Sequence, residues 1–168
     1  VFKPDVLIHL AWNGVEGKRR NEIVQSRNVS NMLELMEIAV SQDAHTFIGL
    51  GSQAEYGAVN ARIDENEATK PTTLYGASKL AACNIGQVMA NISNIRFSWL
   101  RLFSSYGPMD QQDWLIPYLI NSLLKGESPN LTLAEQVWDY IHVADVASAI
   151  ALMIDKRNVH GVFNLGSG

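Results

Sequence analysis

The sequence is poor in cysteine and carries no excess of positive charge. Its single cysteine, Cys83, cannot form a disulfide within the chain, and no Cys or His lies around it at the spacing of metal ligands. We therefore expect a reducing, cytoplasmic compartment and no metal site. Thirteen Lys and Arg residues against seventeen Asp and Glu residues give a net charge of −4. Because binding of a phosphate backbone needs a basic surface, a nucleic-acid partner is disfavoured.

Long apolar runs are also missing. No run approaches the roughly 20 residues that are needed to cross a bilayer, and the first residues, Val1 to Asp5, do not resemble a signal peptide. We expect a soluble protein with no membrane partner. A length of 168 residues with 47% apolar side chains is enough for one domain with a buried core. The chain begins without Met and ends directly after an apolar run, so we expect it to be truncated at both ends.

Apolar stretches of two kinds alternate along the chain. Short continuous runs, typical of buried strands, occupy residues 6–11, 46–50, 97–103 and 161–165, with a further short strand at 137–141. Helical spacing predicts helices over 21–41, 74–90, 114–125 and 143–155, and residues 55–73 form a long loop. Strands of unbroken apolar character that are separated by helices indicate a parallel sheet covered on both faces. The predicted fold class is therefore α/β.

One pair of side chains on a predicted helix is suited to acid–base chemistry. Tyr75 and Lys79 are four residues apart, so their side chains lie on the same helix face. A phenol with its ordinary pKa of about 10 is a poor proton donor or acceptor at neutral pH, and a neighbouring ammonium lowers that pKa. Tyr75 is thus a candidate general acid or base. The spacing alone is weak evidence, because Tyr and Lys also meet by chance on solvated helix faces.

A glycine-rich segment precedes this helix and ends a predicted strand. Ser52 lies at the carboxyl end of the strand, where ligands bind in open α/β sheets, and could donate a hydrogen bond to a substrate oxygen. Its simpler role is to satisfy backbone groups of the turn. Residues 49–54 formally match the dinucleotide-binding pattern Gly-x-Gly-x-x-Gly/Ala. We reject that match because no helix is predicted to follow it.

Several segments carry a resemblance to a known family. They are Ser-Gln-Ala-Glu-Tyr-Gly at 52–57, Tyr75-x-x-x-Lys79, Leu100 to Pro108, Trp138 to Ala147 and Phe163 to Gly168. In this order and spacing they resemble the extended short-chain dehydrogenase/reductases of the NAD-dependent epimerase/dehydratase family. His9-Leu10-Ala11-Trp12 and Asn28-Val29 resemble two further segments of that family, so the resemblance extends from His9 to Gly168.

The resemblance implies a fold, a cofactor and a substrate class. It implies a partial Rossmann-like, doubly wound parallel sheet, with residues 1–168 forming the central part of an NAD(P)-binding domain and the beginning of a small substrate-binding region. NAD or NADP is the implied cofactor, a nucleotide sugar the implied substrate and a homodimer the implied assembly.

The resemblance also implies roles for single residues. Tyr75 is the implied general acid/base, Lys79 lowers its pKa and holds the nicotinamide ribose, and Ser52 orients the substrate carbonyl or hydroxyl. The other implied contacts are with the cofactor, through His9, Ala11 and Asn28, and with the substrate, through Gln53, Ser104 and Ser105.

Departures from the family pattern narrow the expected reaction. The family's glycine-rich phosphate-binding turn belongs before residue 1, together with the residue that separates NAD from NADP. In the dehydratase branch the Ser or Thr is followed by Asp and Glu, whereas Gln53 and Ala54 here cannot move a proton. We therefore expect a 4-ketoreductase or 4-dehydrogenase of a nucleotide-activated sugar or deoxysugar, with a 4-epimerase as the alternative. A non-catalytic dinucleotide-binding sensor or assembly protein is the alternative from another class.

Three further polar positions are expected to be structural. Arg101 lies in a predicted strand, where an arginine more often pairs with a buried carboxylate than with a ligand. His142 and Asp145 precede and begin a predicted helix, so we expect packing or capping roles for them.

Overall fold

A four-stranded parallel sheet forms the centre of the molecule. The computed structural model describes residues 3–168. The strands are β1 (Val6–His9), β2 (Thr46–Ser52), β3 (Arg96–Leu102) and β6 (Gly161–Leu165), in the order β1-β2-β3-β6. All three pairings are parallel. Parallel pairing brings the carboxyl ends of these strands to one edge of the sheet, where α/β proteins bind their ligands.

Helices cover both faces of this sheet. Helices α1 (Val24–Ser41) and α2 (Leu74–Ser93) pack on one face, and their apolar side chains enclose Phe47, Phe97 and Trp99. Helix α4 (Val143–Asp155) packs on the other face against Ile48 and Leu100. Successive strand residues therefore point to opposite cores, which explains why the strands are largely apolar and do not alternate with polar residues.

A smaller unit lies beyond the carboxyl ends of the strands. It contains β4 (Ser104–Tyr106) and β5 (Tyr140–His142), which pair in parallel, and helix α3 (Leu115–Leu124). Strand β5 continues directly into α4, and the Nδ1 atom of His142 accepts a hydrogen bond from the backbone N–H of Ala144 at 3.2 Å. His142 thus caps α4, which is the structural role expected for it.

The expected α/β fold class is confirmed, with differences at the ends of elements. The predicted helix over 21–41 begins only at Val24, because a separate 3₁₀ helix, Gly17–Asn21, precedes it. The strand predicted at 137–141 is shorter and later in the chain, and it pairs with β4, which the sequence did not indicate as a separate strand. No helix in the part of the chain that the structure describes is both long and apolar enough to cross a membrane.

The glycines of β2 make room for an indole ring. Gly49 lies opposite Trp99 in the register of β2 and β3, and a Cβ atom at Gly49 or Gly51 would overlap the Trp99 ring. The ring is completely buried and stacks on Phe97, with 6.0 Å between ring centroids. Only a three-residue 3₁₀ helix, Gln53–Glu55, follows this strand. Rejection of the dinucleotide-binding pattern at 49–54 is therefore correct, and packing explains the two glycines.

Candidate active site

Two hydroxyl groups meet at the carboxyl edge of the sheet. Ser52 ends β2, Tyr75 lies in the first turn of α2, and both line a cavity of about 350 Å³. A Cβ atom at Gly76 would overlap the carbonyl oxygen of Ala54, so the glycine lets the start of α2 approach the turn that follows Ser52. The loop that separates these residues in sequence thus returns the chain to the strand end.

Ser52 is held by a capping box. Its Oγ atom accepts a hydrogen bond from the backbone N–H of Ala54 at 3.2 Å, and its own N–H donates to the Glu55 carboxylate at 2.9 Å. The simpler role considered for Ser52, that of satisfying backbone groups, is therefore real. The same serine also faces the cavity, where its hydroxyl lies within hydrogen-bonding reach of Tyr75.

Glu55 is a residue of this region that the sequence analysis missed. It is completely buried and accepts hydrogen bonds from the Trp99 Nε1 atom at 2.9 Å and from the Arg101 Nε atom at 2.8 Å. Arg101 thus has the buried carboxylate partner that was expected for it. The pattern Ser-x-x-Glu at 52–55 is the sequence signature of a capping box and could have identified Glu55.

The Tyr75 side chain is 9% exposed, and its surroundings act on its pKa in opposite directions. Burial is the largest influence and raises the pKa above its ordinary value of 10. The Ser52 hydroxyl and the Arg20 guanidinium lower the pKa, and Glu55 raises it. The lowered pKa expected for Tyr75 is thus not found, because loss of solvation outweighs the favourable contacts.

Lys79 lies one helical turn beyond Tyr75, as the spacing predicts. Its Nζ atom donates to the carbonyl oxygen of Leu50 at 2.5 Å and lies 3.9 Å from the centroid of the Trp12 ring. The distance from Nζ to the Tyr75 ring centroid is 5.9 Å. Burial lowers the pKa of Lys79 to about 7, although the Glu55 carboxylate opposes the effect. The ammonium therefore approaches Tyr75 but does not belong to the cavity lining.

The residues predicted to contact a cofactor lie along β1 and α1. His9 ends β1 and is buried, its Nδ1 atom has no hydrogen-bond partner within residues 3–168, and burial and Lys79 lower its pKa. Ala11 follows in an exposed position. Asn28 uses its side-chain amide to hold the backbone of Asn13, accepting from N–H at 3.1 Å and donating to C=O at 2.8 Å. His9 is thus the member of this group with an unsatisfied polar atom.

The residues predicted to contact a substrate share the cavity with Ser52 and Tyr75. Gln53, Ser104 and Ser105 all line it. The Ser104 hydroxyl accepts a hydrogen bond from the Trp138 Nε1 atom at 2.6 Å, which links the cavity wall to the segment before β5. Arg20 lines the cavity as well, and sequence reasoning did not identify it.

Comparison with known proteins decides the family. A family model described as the NAD dependent epimerase/dehydratase family matches residues 1–166. The chain belongs to the NAD dependent epimerase/dehydratase family. The strand and helix order described above is the Rossmann-like fold of that family, as the likeness to solved structures also shows. The resemblance drawn from the motifs is therefore confirmed.

Similar proteins within the epimerase/dehydratase family act on different nucleotide sugars. CDP-abequose synthase of Salmonella typhimurium is 31% identical over 155 residues, which cover 90% of this chain and 48% of that protein. The structure of UDP-N-acetylglucosamine 4-epimerase from Methanobrevibacter ruminantium, in complex with UDP-N-acetylmuramic acid, has a TM-score of 0.87 and 26% identity, covering 98% of this chain and 55% of the other. MoeE5 in complex with UDP-glucose and NAD has a TM-score of 0.83 and 28% identity, covering 98% and 57%. The chain spans about half the length of the curated relatives it matches.

Proposed function

We propose that the chain is the central part of an NAD(P)-dependent oxidoreductase that acts on a nucleotide-activated sugar or deoxysugar as a 4-ketoreductase or 4-dehydrogenase. The observation that carries this proposal is the cavity at the carboxyl edge of the sheet, which has both the Ser52 and the Tyr75 hydroxyl groups in its wall. Lys79 lies one turn from Tyr75, so the three groups belong to one region.

Each of these residues has a distinct task in the proposed reaction. The Ser52 hydroxyl donates to the sugar oxygen and so orients it beside Tyr75, which lines the same cavity. Tyr75 gives a proton to that oxygen during reduction or takes one during oxidation. The cofactor, when bound, supplies or receives the hydride. Leu102, Phe103 and Ile116 contribute an apolar part of the cavity wall.

The residues present on the cofactor side fit a dinucleotide. The buried Nδ1 atom of His9 lacks a partner within the described residues, and the three donors of the Lys79 ammonium have a single acceptor among them, the carbonyl of Leu50. Both groups lie at the carboxyl ends of neighbouring strands, where a ribose hydroxyl would satisfy them. We assign Lys79 to the nicotinamide ribose, and Ala11 and Asn28 to the adjoining wall. Either NAD or NADP is compatible with these contacts.

Loss of water from the sugar is not part of the proposed reaction. Dehydration at two adjacent carbons needs an acid and a base beside the catalytic tyrosine. Gln53 and Ala54 follow Ser52 at the positions where the dehydratase branch has its carboxylates, and neither side chain exchanges protons. Gln53 instead places its amide nitrogen 3.5 Å from the Ser104 hydroxyl, which favours a role in substrate contact.

A 4-epimerase is the second candidate, and the likeness to UDP-N-acetylglucosamine 4-epimerase favours it. The two reactions differ in cofactor turnover. A ketoreductase consumes one NAD(P)H for each sugar, whereas an epimerase returns the hydride and leaves the cofactor unchanged. Absorbance of the reduced cofactor during turnover by the full-length protein separates them. Tight binding of NAD(P) without conversion of any nucleotide sugar would instead favour the sensor or assembly role.

The decisive variant is Tyr75→Phe in the full-length protein. It removes the titrating hydroxyl and keeps the ring, so we expect kcat to fall by about 10²–10⁴-fold, the usual contribution of general acid–base catalysis. Tyr118→Phe is a matched control, because Tyr118 lies on α3 and its hydroxyl accepts from the Asn130 backbone. Activity of Tyr75→Phe within a factor of about three of the control would contradict the proposal.

A homodimer is also proposed, formed through α1 and α2. These helices leave apolar side chains on their outer surface, with Ile38 57%, Val88 57% and Ile92 80% exposed. Such a surface favours association, because apolar area gains free energy when it leaves water. Light scattering should give twice the chain mass, and Val88→Glu should return the protein to the mass of a monomer.

A further inference from the structure

An arginine lies against the catalytic tyrosine and belongs to none of the family motifs. Arg20 is in the 3₁₀ helix Gly17–Asn21, which follows the carboxyl end of β1. Its guanidinium carbon lies 4.5 Å from the centroid of the Tyr75 ring, and its side chain lines the cavity together with Ser52. The loop after β1 thus brings a cation to the Tyr75 ring, in the wall of the cavity that Ser52 also lines.

The charge of Arg20 is not neutralised by the chain. Within residues 3–168 no carboxylate lies within 4.0 Å of its guanidinium, and its Nε atom is buried without a hydrogen-bond partner. The preceding residue gives a contrast. Arg19 contacts Glu22 at 3.7 Å and donates to Asn13 at 2.9 Å. Surface interactions therefore use Arg19, whereas Arg20 has its charge directed at Tyr75.

Charged groups from several elements surround Tyr75, and Arg20 is the cation among them that keeps its charge at high pH. Lys79 on the same helix has a pKa of about 7, so it is largely neutral at the pH where a tyrosine ionises. Glu55 after β2 disfavours the phenolate, and Asp110 lines the same cavity. An arginine keeps its proton at every pH at which the protein folds. Arg20 therefore supplies a positive charge that Lys79 alone cannot maintain.

We propose that Arg20 is a positioning residue that acts through Tyr75, because its permanent charge, held against the ring, stabilises the phenolate on which proton transfer depends. This inference rests on the proposed function, in which Tyr75 is the general acid/base. An opposite charge at such a distance typically changes the pKa of its neighbour by about 1 to 3 units. The electrostatic lowering that the motifs assign to Lys79 is thus shared with, or taken over by, a residue from another element.

The ionisation of Tyr75 can be measured without cofactor or substrate. Replacing Tyr75 with 3,5-difluorotyrosine in the chain lowers the pKa of the phenol into a range in which the protein is folded, and the phenolate absorbs differently from the phenol. We expect Arg20→Met to raise the pKa of this group by about 1 to 3 units and Arg20→Lys to raise it less. Arg19→Met removes the same charge one residue earlier and should leave the pKa unchanged.

Several outcomes would overturn the inference. One is an unchanged pKa in a folded Arg20→Met protein, and another is an equal change in Arg19→Met. If Arg20→Met does not fold, Arg20→Gln replaces it, because glutamine keeps a polar group without a charge. The same two outcomes would then overturn the inference.

Kinetics of the full-length protein separate this inference from the proposed function. In the oxidation direction, in which Tyr75 takes the proton, the pH profile of kcat/KM should move upward by the same number of units in Arg20→Met, with a loss of about tenfold or more at neutral pH. If Tyr75→Phe retains activity while the pKa in the chain still responds to Arg20→Met, the proposed function fails and the electrostatic coupling stands. If Tyr75→Phe is inactive and the profile of Arg20→Met does not move, the coupling fails alone.

Discussion

The lysine of the candidate site is buried at a cost. Lys79 is 3% exposed, and its ammonium has one carbonyl oxygen and the face of the Trp12 ring as close neighbours. Removal of a charge from water disfavours the charged form, which is why the pKa of Lys79 falls from 10.5 to about 7. Near neutral pH the residue is thus poised between its two protonation states.

This poise predicts a pH dependence of stability. Because the folded chain binds the Lys79 proton less tightly than the unfolded chain, the unfolded state holds more protons between pH 7 and pH 9, and stability rises with pH over that range. The gain from this group is about 2 kcal/mol. Urea unfolding at several pH values should show the rise in the wild-type chain and not in Lys79→Met.

The control for this prediction is Lys125→Met, at an exposed lysine. This variant should keep the rise in stability between pH 7 and pH 9. The range stops at pH 9 because burial raises the pKa of the Cys83 thiol from 9 to about 12. Above pH 9 the unfolded chain loses this proton more readily than the folded chain, which lowers the stability of the fold. A Lys79→Met chain with the same pH dependence as the wild type would contradict the prediction.

Local spacing predicted the Tyr75 and Lys79 pair but not the groups that surround it. Four residues along a helix always place two side chains on one face. Arg20 is 55 residues from Tyr75 in sequence and lies in a segment without periodicity, so only the folded chain brings it to the ring. Glu55, by contrast, had a local signature that was available in the sequence.

At the scale of the element, the start of α2 determines where Tyr75 points. Thr73 precedes the helix with extended backbone, and its Oγ1 atom accepts a hydrogen bond from the N–H of Gly76 at 3.1 Å. The cap fixes the first helical turn of α2, which contains Tyr75. This helical turn packs on the segment after β2. The other end of α2 is closed by Asn94 in the left-handed conformation, with φ of 52°.

Loss of this cap should have a measurable effect. Thr73→Ala removes the hydrogen bond to Gly76, and we expect the free energy of unfolding to fall by about 1 kcal/mol. Thr72→Ala is the matched control, since Thr72 is exposed and does not cap the helix. Denaturant unfolding of the two variants should therefore differ, and equal stabilities would show that the cap is not a source of stability.

Elements with sharply limited apolar patterns were predictable, whereas a strand without an apolar run was not. Helix α4 and strand β6 have the predicted bounds, because their apolar patterns are long or sharply limited by turn residues. Strand β4 is the tripeptide Ser-Ser-Tyr, which follows β3 almost directly and has no apolar run of its own. Its identity as a strand depends on pairing with β5, more than thirty residues later.

At the scale of the whole molecule, one buried network connects three parts of the sheet. Glu55, after β2, accepts from Arg101 on β3. Arg101 also donates to the Tyr56 hydroxyl at 2.8 Å, and that hydroxyl donates to Asn164 on β6 at 2.7 Å. The turn that holds Ser52 is thus tied to both following strands.

Breaking this network should destabilise the molecule strongly. Glu55→Ala leaves the buried Arg101 charge without its partner, and we expect a loss of about 3–5 kcal/mol in the free energy of unfolding. Glu34→Ala, on the exposed side of α1, is the control and should change stability by less than about 0.5 kcal/mol. Thermal or urea unfolding measures both. A loss below about 1 kcal/mol for Glu55→Ala would show that the ion pair is not a major source of stability.

The α/β class followed from the alternation of elements, but the long-range contacts did not. Parallel strands pair with partners that are distant in sequence, and no local pattern gives the order β1-β2-β3-β6. The expected carboxylate partner of Arg101 was correct as a type of residue, yet its identity required the fold. The position of an arginine in a strand thus predicts that its charge is buried and paired, but it does not predict which carboxylate is the partner.

The fit between Trp99 and the two glycines of β2 has an evolutionary consequence. A methyl group at position 49 or 51 leaves no space for the indole, and a smaller residue at position 99 would leave an empty volume beside both glycines. Single exchanges at these sites are therefore harmful, whereas compensated exchanges are tolerated. We expect the three positions to be inherited as a set, so that descendants with a bulkier residue in β2 have also exchanged the tryptophan for a smaller neighbour.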